Sequence, residues 1–119
     1  MNRKRFLSMI GILTFVFPKF GNAEPIEPEL LFFKDDGEIP NSKYPLILYK
    51  NAFIERDGSG SSWLEKKFSS NNWSDSWRNG IYSFHHYHST SHEVLGIYSG
   101  KALVHLGGKN GQKVEVEAG

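Results

Sequence analysis

Histidines 86 and 88 stand inside a spaced frame that narrows the choice of fold more than anything else in the chain. Gly80 is followed after five residues by His86, then after one by His88, after four by Glu93 and after six by Gly100. In an extended strand, alternate side chains point to the same face. His86 and His88 therefore project together, with Tyr82 and Phe84 in line behind them. Glu93 follows a short turn and returns beside them on the next strand. Gly80 and Gly100 mark sharp turns, where glycine reaches positive φ without steric cost. Two imidazoles and one carboxylate on one wall suit a divalent first-row metal. The plainer reading, a polar strand on a wet sheet face, accounts for the histidine pair alone but not for Glu93 and the framing glycines.

The residues around this frame extend the pattern. Tyr82, Phe84, His86 and His88 alternate with Ile81, Ser83, His85 and Tyr87, and Glu93, Leu95 and Ile97 share a face on the following strand. Leu103 to Leu106 reads as a further strand, Gly107-Gly108-Lys109-Asn110-Gly111 as a hairpin turn, and Val114 and Val116 as the start of its partner. Upstream, Leu30 to Lys34 and Leu46 to Lys50 read as short strands. Asp57 to Ser62 reads as a flexible turn whose serines offer a helix cap. Trp63 to Ser70 has helical spacing, with Leu64 and Phe68 facing the sheet and Asn71-Asn72 ending the helix. Short strands separated by Gly and Asn turns, with one helix before the motif strands, indicate a mainly β, antiparallel jelly roll.

The frame resembles the first motif of the cupin superfamily, G-x5-H-x-H-x(3,4)-E-x6-G, at every fixed position. The stretch from Trp77 to His88, followed by His92 to Gly96, is similar to the YjlB-like branch of cupins. So is the earlier run Phe32 to Gly37, with Ile39-Pro40-Asn41 and Pro45 to Tyr49. The resemblance implies a double-stranded β-helix. It also implies a divalent ion (Fe, Mn, Ni or Zn) held by His86, His88 and Glu93. In that superfamily a second motif, G-x5-P-x-G-x2-H-x3-N, supplies a further histidine ligand, and Ala118-Gly119 matches only its opening glycine. The expectation is a partial cupin domain over residues 30–119, an incomplete barrel.

Other features bound the function. The chain of 119 residues has room for one domain. It has no cysteine, which excludes disulfides, thiolate catalysis and cysteine zinc sites. Arg3, Lys4, Arg5 and Lys19 lie in a start with no acidic residue. Without them ten basic residues face thirteen acidic ones, a net charge of about −3. Such a body has no electrostatic footprint for nucleic acid. The basic start, the apolar run Phe6 to Phe17 and the small residues Gly21-Asn22-Ala23 read as a signal peptide over residues 1–23, with an uncleaved anchor or a buried helix as the alternatives. That run is shorter than the roughly 20 residues of a membrane span. Residues 24–29 read as a linker, and cleavage after Ala23 would leave a secreted or periplasmic domain without a stable membrane anchor.

Neighbouring residues carry weaker signals. His85 points away from His86, His105 reads as structural, and His92 sits in the turn before the glutamate. Tyr82 and Phe84 read as interior packing or a substrate wall, Trp73 and Trp77 as packing between helix and sheet, and Arg78 as a partner of Asp75 or a residue at the pocket rim. No serine–histidine–aspartate order indicates a triad, and Gly58-Ser59-Gly60 is too short for a phosphate loop. Three functions remain open. One is a metal-dependent enzyme on a small molecule, of dioxygenase or isomerase type. The others are a non-catalytic module for a metal or small ligand, and an inactive truncated remnant; a homodimer is a further way to cover exposed strand edges.

Overall fold

The computed structural model describes residues 26–119. The signal peptide expected over residues 1–23 lies outside the described residues. Four strands form two separate antiparallel sheets, with one helix between them in sequence. The first sheet pairs β1 (Glu29–Leu31) with β2 (Leu46–Leu48), and the second pairs β3 (Lys101–Leu106) with β4 (Gln112–Glu117). No closed barrel forms among the described residues. No helix there is long and apolar enough to cross a membrane.

The β3–β4 hairpin follows its sequence pattern. Val104 pairs with Val114 and Ala102 with Val116, so these apolar residues share one face. Val104 and Val114 are buried. The other face pairs Lys101 with Glu117, Leu103 with Glu115 and His105 with Lys113, and it is largely open to solvent. At the turn, Gly107 and Gly108 both have positive φ. Neither position has room for a side chain, because a Cβ on Gly107 would strike Phe33 and one on Gly108 would strike the Asp36 carboxylate.

Those contacts fasten the hairpin to the chain after β1. Asn41 Nδ2 donates to Lys34 O (2.8 Å) and Gly107 O (2.9 Å). Asp36 Oδ1 accepts from the Ile39 and Glu38 amides. These two bonds, Ile39 first, hold the Asp36 carboxyl below its ordinary value, against the opposing pull of burial. β1 spans Glu29–Leu31 rather than running to Lys34, so it takes in the last residue of the expected linker. The chain turns instead into this side-chain-bonded loop.

Helix α1 spans Asp57–Ser70 and so starts six residues before the Trp63 that its apolar spacing suggests. The stretch Gly58-Ser59-Gly60-Ser61 is not a flexible turn but the start of the helix, with Gly58 and Ser59 open to solvent and Gly60 and Ser61 buried. Gly60 approaches so closely that a Cβ there would lie 3.0 Å from both Glu55 O and Tyr98 Cβ. The Asp57 amide donates to Tyr98 O (2.7 Å), and Ser99 Oγ donates to Asp57 Oδ1 (2.7 Å). The N-cap is Arg56 with no side-chain cap, so the serines do not cap the helix. Leu64 is buried and Phe68 half-buried, as the spacing implies, and Asn71 closes the helix. Trp63 stacks on Phe53 at 5.0 Å between ring centroids.

The strands expected over residues 81–88 and 93–97 do not form. A strand exists through its ladder, and no described residue pairs with this stretch. Residues 93–97 keep an inside and an outside nonetheless. Val94 and Gly96 are partly covered, while Glu93 and Leu95 are exposed. A Cβ on Gly96 would lie 2.5 Å from Leu64 Cδ2, so the helix seats directly on this segment.

Candidate metal centre

The segment bearing His86 and His88 is held at its start by Arg78. Its guanidinium meets the Glu65 carboxylate on α1 through two bonds, Nε to Oε1 at 2.7 Å and Nη2 to Oε2 at 3.0 Å. The hydrogen bond from Arg78 lowers the Glu65 carboxyl below its ordinary value. Arg78 thus pairs with Glu65 and not with Asp75, which accepts from Ser74 Oγ instead. Nothing in the spacing marks this pair, because the partners lie on different elements.

From Gly80 the chain bends at Ser83-Phe84 and again at Ser89-Thr90. The first bend gathers side chains that a straight strand would keep apart. Ring centroids of Tyr82 and Phe84 lie 5.1 Å apart, of Phe84 and His86 5.8 Å, and of Tyr82 and His86 5.2 Å. His88 continues the row, with its ring 5.4 Å from that of His86. The side-chain alternation expected from sequence survives, but on a curved segment. His85 points the other way, and its ring meets His105 of β3 at 4.8 Å. The packing roles expected for Tyr82, Phe84 and Trp77 are not met among the described residues. All three are exposed, and Trp77 touches only the edge of the row at Tyr82, 6.3 Å away. Trp73 is buried, as expected.

The second bend returns the chain so that Glu93 reaches the histidines. One ligand atom from each of His86, His88 and Glu93 lies within 4.8 Å of the other two. His88 Nε2 and Glu93 Oε2 are 3.8 Å apart, with the side chains 48% and 39% exposed. Nitrogen and oxygen bind first-row ions at about 2.0–2.2 Å, which places donors on one ion about 3–3.5 Å apart. An ion held by all three residues would draw these atoms closer together than they stand here. Two neutral imidazoles and a carboxylate are the donor set that first-row divalent ions accept, and the three residues fit such an ion. Of the framing glycines, Gly100 has φ +70° as expected. Gly80 has no positive φ and open space around its Cβ position, so no turn geometry requires glycine there.

The chain is similar to the uncharacterized protein YjlB of Bacillus subtilis (strain 168). The two are 35% identical over 94 residues, which cover 78% of this chain and 54% of the relative. The chain thus spans about half the length of the relative it matches. No protein-family model matches the chain, and no solved structure matches it.

Proposed function

We propose that this chain carries a cupin-type divalent metal site built from His86, His88 and Glu93. The observation that carries the reading is the convergence of these three ligand atoms within 4.8 Å, at the spacing of the cupin motif. The mainly β, antiparallel architecture supports a jelly-roll setting. Three protein donors leave open coordination positions, as in sites that bind water, oxygen or substrate. When bound, the ion supplies Lewis acidity or an oxygen site. His86 and His88 provide neutral imidazoles and orient the ion, and Glu93 offsets part of its charge. The reading is therefore metal binding at an open site, with small-molecule chemistry of dioxygenase or isomerase type as its use in an intact domain. The leader-like layout of residues 1–23 supports action outside the cytoplasm.

Equilibrium dialysis of the purified chain against Fe(II), Mn(II), Ni(II) and Zn(II) tests this proposal. The expected result is one equivalent of bound ion, lost in His86→Ala and in Glu93→Gln. Retention of the same metal by both variants, or no retained metal in the parent chain, would contradict it.

A further inference from the structure

Two further histidines meet on the opposite side of the segment that carries His86 and His88. The ring of His85 lies 4.8 Å from that of His105 on β3, with 75° between the ring planes. The contact joins residues 81–88, which have no strand ladder, to the β3–β4 hairpin. His105 is half-buried and His85 exposed. Among the described residues, no hydrogen bond or ion pair engages either ring. Their nitrogens are therefore open to a further partner.

The spacing of the rings says which partner fits. An imidazole nitrogen binds a first-row ion at about 2.0–2.1 Å, so the ring centre stands about 3.2 Å from the ion. Two such rings, at about 90–110° around one ion, have centres about 4.5–5.2 Å apart. The observed 4.8 Å lies inside that range. The rings of His86 and His88 stand at 5.4 Å.

We propose that His85 and His105 form a second, two-imidazole site for Zn(II), Ni(II) or Cu(II). Imidazole suits these ions, whereas Mn(II) favours carboxylate, carbonyl and water oxygens. Water completes the coordination shell. Lys113 pairs with His105 across the hairpin and repels a cation there, while Glu115 lies one pair further along the same face and attracts it. With two neutral donors instead of three that include a carboxylate, this site is weaker than the His86, His88 and Glu93 centre and fills after it. An ion held here fastens the segment that bears His86 to β3. Neither histidine belongs to the three-donor centre, so the two sites stand or fall separately.

Equilibrium dialysis of the full chain at rising free Zn(II) tests the second site. At ion levels that fill the three-donor centre alone, one equivalent is bound. A weaker step is expected at higher levels. It is expected to vanish in His85→Ala and in His105→Phe, to persist in Glu93→Gln and to be absent with Mn(II). His85 is exposed and lies outside both sheets, so His85→Ala leaves the hairpin intact, and His105→Phe keeps a ring in the contact. A weaker step that survives His85→Ala, equal binding of Mn(II), or the lack of any step that depends on both histidines would overturn the proposal. A single step that needs His85 and His105 but not Glu93 would support it even where the three-donor centre fails.

Discussion

Replacing Gly96 by alanine tests the seat on which the Glu93 segment rests. Gly96 is not in the left-handed region, so alanine would ordinarily stabilise the protein by about 0.4–1 kcal/mol through the unfolded chain. The packing opposes this. The added methyl would lie 2.5 Å from Leu64 Cδ2, 2.6 Å from Cδ1 and 3.1 Å from Cγ. Carbon pairs prefer about 3.5–4.0 Å. Leu64 is 7% exposed and has little space to rotate into. Overpacking of this kind costs about 1–3 kcal/mol, so the steric effect outweighs the backbone gain. For a domain of this size each kcal/mol lowers Tm by about 4–8 °C. Leu64→Ala alone is expected to cost about 2–5 kcal/mol by leaving a cavity. Combined, the two changes relieve each other, since the new methyl enters the vacated space. Urea denaturation of the parent, both single variants and the double variant gives the cycle, with an expected favourable coupling of about 1 kcal/mol. A neutral or stabilising Gly96→Ala, or additivity within about 0.5 kcal/mol, would refute the reasoning.

Two further outcomes follow from the same contacts. Gly107→Ala combines a positive φ with a collision against Phe33, whereas Gly80→Ala meets open space at ordinary φ. Thermal melts are expected to show a loss of more than about 1 kcal/mol for the first and little change for the second. The Glu65 carboxyl is lowered by its bond to Arg78, so the pair's contribution is complete above the ordinary carboxylate value of 4.5 and is lost as pH falls through the lower folded value. Arg78→Gln is expected to remove that part of the acid-side slope in stability against pH, and an unchanged slope would count against the pair.

The sequence made the local pattern legible and left the long-range one hidden. The alternation from Tyr82 to His88, the hairpin glycines and the Leu64–Phe68 face all follow from periodicity and turn chemistry within a few residues. What escaped depends on contacts between distant segments. Gly60 lets the helix start at Asp57 because it meets Tyr98, which no local rule sees, and the polar Gly-Ser run imitates a loop. Arg78 finds Glu65 on another element. Gly96 was the one available signal, since a glycine within an apolar alternation often marks close approach of another element. The expected strands over 81–88 and 93–97 fail for a different reason. Their side-chain pattern is present, but a ladder needs a neighbour, and none of the described residues supplies it. The three metal-site residues come together because the bend at Ser89-Thr90 does locally what strand pairing was expected to do.

The most direct measurement is X-ray absorption spectroscopy of the chain loaded with one equivalent of Zn(II). Two imidazoles and a carboxylate oxygen are expected in the coordination shell, with one imidazole lost in His86→Ala. A shell without imidazole, or one that His86→Ala leaves unchanged, would contradict this.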